Sequence, residues 1–340
     1  MAKDMDWGNL PFGYMETNKS FVVNWKDGKW DEGTLTSDHS ITMSECACVL
    51  QYAQTCFEGL KAYTTSDGKV VTFRPDLNAD RMADSCTRLE MPVFPKEKFI
   101  QAVIDVVKAN LDYVPPYGSG ATLYIRPFMF GSNAVIGVKP ATEFQFRILV
   151  TPVGPYFKGG VKPIKVRISD RDRAAPHGTG DIKAGLNYAM SLYNIVDAHN
   201  CGYAENMYTD PATHTFIEET GGANILFVDK KGTLITPKSG SILPSITRRS
   251  LITVAKDILG MKVEERKVNK KELKKFVECG LCGTAAVISP IGQIDDHGKS
   301  IMLPSGMENI GPVMQKLRET LTGIQMGTVK GPEGWVVEIK

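Results

Sequence analysis

The run FKGGVK, residues 157 to 162, has no apolar period and only Phe157 and Val161 as apolar residues, and on both sides of it the chain reads as short strand-like runs with a few helices. Such a break near the middle of 340 residues favours two domains, because single hydrophobic cores stop growing at roughly 250–300 residues. The expectation is an N-terminal domain over 1–156, a linker over 157–162 and a C-terminal domain over 163–340, both of α/β or α+β character.

In the first half, FVVNWKDGKW and KAYTTSDGKVVTF each place an Asp-Gly turn between strand-like runs, which predicts hairpins. Ala79, Met82, Ala83, Cys86 and Leu89 mark one helix, and Phe99, Val103 and Val107 a second. After the loop PPYGSG come the strands ATLYIRPFMF and FQFRILVTPV. The second half opens on the strand IKVRIS, contains the hairpin NILFVDKKGTLITP, and has a helix marked by Leu251, Val254, Ala255 and Ile258 behind the loop SILPS. In GTGDIKAGLNYAMSLYNIV, Leu186, Ala189, Met190, Tyr193 and Val196 recur at helical spacing. That pattern predicts a helix with this face packed inward and Lys183 just ahead of its buried start.

Hydrophobic residues make up 42% of the chain and charged residues 23%, as in soluble globular proteins. The net charge of +2, without a basic run, argues against nucleic acid as a partner. The N-terminal MAKDMDWGNLPFGYMETNK has no apolar h-region and no stretch is apolar enough to span a membrane, so a cytoplasmic protein is expected. Seven cysteines then read as reduced thiols. Cys279 and Cys282 form one C-x-x-C, which reads as buried small residues on a strand, and the five histidines have no ligand spacing, so no metal site is expected.

Burial disfavours the charged form of an amine, and a neutral lysine amine is a nucleophile able to form a Schiff base. A chain using Lys183 in this way needs an aldehyde partner. The usual nucleotide fingerprints are missing: GSGATL lacks the third glycine, and there is no G-x-x-x-x-G-K-[ST]. SILPSITRRS offers a different phosphate site, with Ser245 capping a helix whose first amides belong to Ile246 and Thr247. IEETGGAN offers the acid Glu219, and CGTAAV offers Thr284 in a tight turn. Each has a plain structural alternative: a capped helix, a strand-end acid, a turn former, and for Arg74 a pair with Asp76.

KAGLNY, IEETGGAN, LPSITR and CGTAA, in this order, resemble the signature segments of the class IV, fold-type-IV pyridoxal-phosphate aminotransferases. LPFGY, LQYAQTCFEGLKAY, FRPDLNADRM, LYIRPFMFG and PVGPYF are similar to the branched-chain amino-acid aminotransferases in particular, and the resemblance runs from about Phe12 to Trp335. It implies a smaller N-terminal and a larger C-terminal domain with pyridoxal 5'-phosphate between them, the cofactor lysine lying in the second. Lys183 would carry the cofactor as a Schiff base, Tyr188 would bond its phenolic oxygen, and Glu219 would face its pyridine nitrogen. The phosphate would be held by Arg74, by the amides of Ile246 and Thr247, and by Thr284. Phe12, Tyr52, Phe57, Tyr124, Val138, Tyr156 and Ala285 would surround the substrate, with Val138 contributed across a homodimer interface. Arg126 would meet the side-chain carboxylate of glutamate.

The implied activity is reversible ping-pong amino transfer between L-leucine, L-isoleucine or L-valine and 2-oxoglutarate. A D-amino-acid aminotransferase or an aminodeoxychorismate lyase would share the lysine and the glutamate, and a cofactor-binding protein without turnover is the non-enzymatic alternative. LYIRP, LQYAQTCFEGLKAY and the N-terminal strand region separate the branched-chain reading from these. Two departures stand out. Ala286 and Ser289 occupy the positions of the redox C-x-x-C of mammalian members, and Leu186 stands where relatives often have glycine.

Overall fold

The computed structural model describes residues 2–157 and 160–340, so part of the expected linker lies outside the described residues. The chain forms two compact units: Met1–Tyr156 with Ile182–Leu186 and Gly323–Lys340, and Phe157–Asp181 with Asn187–Thr322. The expected boundary near 157 is one of several crossings. Lys183 belongs by its contacts to the first unit, not to the second as expected, and the C-terminal segment also returns to the first.

The first unit runs β1 (Ser20–Lys26), β2 (Lys29–Trp30), β3 (Thr34–Thr36), α1 (Cys48–Tyr52), β4 (Thr55–Phe57), β5 (Leu60–Thr64), β6 (Val70–Phe73), α2 (Pro75–Arg88), α3 (Lys96–Lys108), β7 (Thr122–Gly131) and β8 (Phe144–Val153). After the second unit, the last strand of the chain (Val336–Glu338) pairs antiparallel with β6 and completes a nine-stranded sheet. Both hairpins form. Trp25 pairs with Trp30 around Asp27 and Gly28, whose φ of 52° and 77° give the left-handed turn that suits the strand twist. The second Asp-Gly sits in a longer turn, closed by the Thr65 N–H donating to the Lys69 carbonyl. Helices α2 and α3 cover the sheet with Met82 and Cys86 from one and Phe99, Val103 and Val107 from the other, all buried against Leu123, Ile125, Phe146 and Ile148.

The second unit contains β9 (Ile164–Ile168), α4 (Gly185–Asn200), β10 (Glu205–Thr209), β11 (Phe216–Thr220), β12 (Asn224–Asp229), β13 (Leu234–Pro237), α5 (Ile246–Thr253), β14 (Val263–Arg266), β15 (Val268–Asn269), β16 (Phe276–Gly283), β17 (Val287–Asp296), β18 (Lys299–Met302) and α6 (Pro312–Gln325), and β19 is the Val336–Glu338 strand of the first unit. Its ten-stranded sheet closes on itself: β12, β16, β17, β9, β10 and β11 pair in turn, and β11 pairs back to β12. Closure leaves no open edge along that ring, and Met207, Ile217, Ile225, Phe227, Leu281 and Ile291 fill the core. The helix expected behind SILPS forms as α5 and continues as a π-helical turn over Val254–Ile258.

The predicted face of α4 is a correction. Met190, Tyr193 and Val196 are exposed, and the buried face is Asn187, Ser191, Asn194 and Ala198. This inward face is polar because it is bonded: Asn187 Nδ2 donates to the Thr179 carbonyl at 2.7 Å, Asn194 Nδ2 to the Tyr208 hydroxyl at 3.2 Å, and Asn206 Nδ2 to the Asn194 carbonyl at 2.7 Å. Periodicity identified a shared face correctly and assigned it to the wrong side.

Candidate functional site

In the first unit, β4 and α2 hold the Lys183 peptide from two sides. The Phe57 N–H donates to the Lys183 carbonyl at 3.1 Å, and the Lys183 N–H donates to Ser85 Oγ at 3.0 Å. Cys56 and Ala184 make an isolated bridge beside them. This leaves the half-buried side chain directed over an aromatic ring, with Lys183 Nζ 4.8 Å from the centroid of Phe57.

Strand β7 supplies the next two groups. Tyr124 and Arg126 are two residues apart and so share one face of the strand. The Arg126 guanidinium lies 4.6 Å from the Phe57 centroid and 5.2 Å from that of Tyr124, and its Nη2 donates to the Tyr124 hydroxyl at 2.9 Å. Arg126 Nε is buried and has no hydrogen-bond partner among the described residues. Phe12 packs edge-on against Tyr124 with centroids 5.3 Å apart. Phe12, Phe57, Tyr124, Arg126 and Lys183 thus converge: an apolar aromatic wall, one guanidinium and one amine.

Other expected residues of this unit sit in their own surroundings, and Val138, expected across a homodimer interface, is exposed in the single copy. The Tyr52 hydroxyl donates to the Ile136 carbonyl, in a loop whose Ile136 and Val138 are 72% and 89% exposed, and Tyr156 is exposed at the end of the unit. Arg74 caps α2 in a left-handed conformation (φ 49°) and stacks 4.5 Å over Trp335. From there to Ser85 is roughly 16 Å along the helix, at about 1.5 Å per residue. The buried arginine of α2 one turn from Ser85 is Arg81, which the sequence motifs did not single out. It is buried, and its Nε and Nη2 each lie 2.7 Å from an oxygen of Glu58, the residue after Phe57. Asn78 Nδ2 donates to the same carboxylate at 2.7 Å. Two parallel bonds between fully desolvated groups fix the Phe57–Gly59 turn against α2.

The second unit carries the remaining groups. Glu219, on β11, is buried and accepts from Asn224 Nδ2 at 2.7 Å and from the Leu243 N–H at 2.8 Å, and it pairs with Arg173 Nη2 at 2.7 Å. Asn224 Oδ1, opposite Glu219 in the β11–β12 register, is buried without a hydrogen-bond partner among the described residues. Ser245 caps α5 as expected, its Oγ accepting from the Arg248 N–H at 3.2 Å, so the first-turn amides of Ile246 and Thr247 stand outside the intrahelical ladder. Thr284 and Ala285 form the turn between β16 and β17, and Tyr188 is half-buried on α4. Cys279 and Cys282 lie three apart on β16, which sends their side chains to opposite faces. Burial pushes both thiols up, that of Cys282 to about 12.

The donor set fits pyridoxal phosphate. A buried carboxylate beside an unpaired amide oxygen suits a protonated ring nitrogen, first-turn helix amides suit a phosphate, and a half-buried amine suits an aldehyde. Comparison with known proteins agrees. Residues 55–294 match the family described as amino-transferase class IV. The chain is 51% identical to the branched-chain-amino-acid aminotransferase of Haemophilus influenzae, over 99% of this chain and 100% of that one. It is 45% identical to the enzyme of the same name from Helicobacter pylori, over 99% and 98%. Among solved structures it superposes on the Escherichia coli branched-chain amino acid aminotransferase with a TM-score of 0.80 and 27% identity, covering 95% of this chain and 100% of that one. The pyridoxal-phosphate form of the branched-chain amino acid aminotransferase from Thermobaculum terrenum superposes with a TM-score of 0.80 and 26% identity, over 96% and 100%. The chain belongs to the class IV aminotransferases and, within them, to the branched-chain-amino-acid aminotransferases.

Proposed function

We propose that the chain catalyses reversible amino transfer between L-leucine, L-isoleucine or L-valine and 2-oxoglutarate, using pyridoxal 5'-phosphate. The observation that carries this reading is Arg126, a guanidinium set among Phe57, Tyr124 and Phe12 with a buried nitrogen left unbonded. The aromatic wall takes an aliphatic side chain by burial alone. An unpaired carboxylate would be strongly disfavoured on the same wall, and Arg126 supplies the cation that lets glutamate bind there.

When bound, the cofactor supplies the electron sink that makes the substrate α-carbon acidic. Lys183 Nζ would be the cofactor's attachment point, and as a free amine it would hold and move the proton of the substrate α-carbon. Glu219, with Asn224 beside it, would hold the proton of the ring nitrogen. The amides of Ile246 and Thr247 with Thr284 would bind the phosphate, and Tyr188 would donate to the phenolic oxygen. Arg81 takes the place expected of Arg74 as the α2 arginine of the site. Its support is the chain of contacts from its carbonyl to Ser85 Oγ at 2.9 Å and on to the Lys183 N–H. Tyr156 and Ala285 border the substrate. The working form is a cytoplasmic homodimer in which the exposed Val138 and Tyr52 complete the site of a second copy.

Borohydride reduction of the holoenzyme followed by peptide mapping tests the centre of this reading. The adduct is expected on Lys183, and leucine with 2-oxoglutarate is expected to yield glutamate. An adduct on another lysine, or no glutamate, rejects it.

A further inference from the structure

Arg173 lies outside the sequence motifs of the site, yet it joins three of the segments that carry them. Its side chain is 8% exposed, and its Nη2 lies 2.7 Å from Glu219 Oε1, 2.8 Å from the Gly180 carbonyl and 2.5 Å from the Ser241 carbonyl. Gly180 is three residues ahead of Lys183, Glu219 is the buried acid of β11, and Ser241 leads through Leu243 to the α5 cap. The Leu243 N–H donates to the same Glu219 oxygen at 2.8 Å, so the loop before α5 reaches Glu219 both directly and through Arg173. The junction has no slack. A Cβ on Gly180 would stand 2.7 Å from Arg173 Nη2, 2.3 Å from the Ser241 carbonyl oxygen and 2.9 Å from Ala174 Cβ.

We infer that Arg173 is a positioning residue that acts through Glu219, fixing the carboxylate in place and setting how strongly it holds a proton on the cofactor's ring nitrogen. This rests on the reading of Glu219 given above. The physical argument is one of shared charge. A carboxylate oxygen engaged by a desolvated guanidinium has less negative potential left for a second cationic partner, and the contact with Nη2, itself held by the Gly180 and Ser241 carbonyls, fixes its position. Without the guanidinium, Oε1 keeps the Leu243 amide but no cation at this oxygen, Glu219 gains freedom to turn, and more of its charge falls on the ring nitrogen. A neutral amide donor could orient Glu219 but could not draw off charge. The choice of arginine therefore points to an electrostatic role as well as a geometric one. A purely structural arginine would tie the Gly180 and Ser241 carbonyls together with no effect on the cofactor.

The test uses Arg173→Met, Arg173→Lys and Gly180→Ala in the full chain. Each is read by the dissociation constant of pyridoxal phosphate from the apoprotein and by the pH midpoint of the visible absorbance of the holoenzyme, with thermal unfolding of the apoprotein as a separate measure of the fold. Arg173→Met is expected to weaken cofactor binding at least ten-fold and to move the spectroscopic midpoint by half a pH unit or more. Arg173→Lys, which keeps the charge, is expected to restore most of the midpoint and less of the affinity. Gly180→Ala displaces Arg173 without removing it and is expected to behave like a milder Arg173→Met. Should Arg173→Met not fold, the other two variants decide. Folded variants with wild-type midpoint and affinity, even if less heat-stable, overturn the inference and leave Arg173 a tie between loops. Wild-type protein that takes up no cofactor on Lys183 overturns the functional reading instead, and the two failures are told apart in the first spectrum.

Discussion

Gly59 has no room for a side chain, since a Cβ there would stand 2.3 Å from the Tyr124 hydroxyl, the acceptor of the Arg126 bond. Gly59→Ala is therefore expected to displace Tyr124 and with it Arg126, slowing the glutamate half-reaction at least ten-fold more than the leucine half-reaction. Single-turnover spectroscopy of each half-reaction checks this, and equal slowing would detach Arg126 from glutamate recognition. Arg126→Met should show the same asymmetry, by about 2–5 kcal/mol for a desolvated charge pair. The thiols make a second contrast. Cys201 is exposed, whereas Cys282 is buried with its thiol pushed to about 12. Alkylation at pH 8 followed by mass spectrometry is expected to label Cys201 and to reach Cys279 and Cys282 only after unfolding. His297 gives a pH dependence: its hydrogen bonds to Asp296 and Asp170 raise its pKa. The stabilisation is fully present below the unfolded value near 6.5 and is lost as pH rises through the folded one. His297→Asn should lower the melting temperature at pH 6 and leave it unchanged at pH 9, by no more than about 1 kcal/mol because the pair is largely exposed. At this scale the sequence was legible where chemistry is local. The Ser245 cap stands out by residue type and neighbours, whereas Lys183 and Glu219 were marked by the resemblance, and FRPDLNADRM offers Arg74 at the cap of α2 and Arg81 within it, a choice decided by the bond of the Lys183 N–H to Ser85, 98 residues away in the chain.

Helix α6 begins against a carboxylate. Glu278, buried on β16, accepts from the Val313 N–H at 3.1 Å and the Met314 N–H at 2.8 Å, which satisfies two first-turn donors and places a negative charge at the positive end of the helix. A Cβ on Gly311 would meet the Glu278 carboxyl carbon at 2.2 Å. Glu278→Ala is expected to destabilise the protein by about 1–3 kcal/mol, the range for leaving buried donors unsatisfied. Gly311→Ala should cost a similar amount by pushing the carboxylate out, and in the Glu278→Ala background it should cost far less. Denaturant titration of the two single variants and the double variant measures that coupling, and additive losses would show that Gly311 matters for its backbone rather than for Glu278. Elements were the most legible level of the fold, since Asp-Gly turns and apolar periods mark hairpins and helices directly. The limit is visible in α4. Met190, Tyr193 and Val196 share a face, but only the bonds from Asn187, Asn194 and Asn206 tell which side is covered.

That exposed face belongs to a larger property of the molecule. Met190, Leu192, Tyr193 and Val196 in the second unit, and Leu50, Ile136 and Val138 in the first, are large apolar side chains left at the surface of a single copy. Exposed clusters of this kind mark association surfaces. The homodimer proposed above is tested here: the double substitution Tyr193→Asp with Val196→Asp is expected to give monomers at micromolar concentration by sedimentation where the unaltered chain gives dimers, while no change in assembly would place the interface elsewhere. The number of units was legible in FKGGVK, but the path of the chain between them was not. Contacts of Ile182–Leu186 with β4 and α2, and the pairing of β19 with β6, depend on partners about a hundred residues away or more. This path limits the modularity of the enzyme. A nick between residues 157 and 162 leaves the N-terminal fragment without its final sheet strand and without the lysine segment that β4 and α2 hold, so neither piece is a heritable module that could be shuffled into another protein. The fragments expressed separately should instead behave as a split enzyme, inactive alone and restored by complementation when mixed.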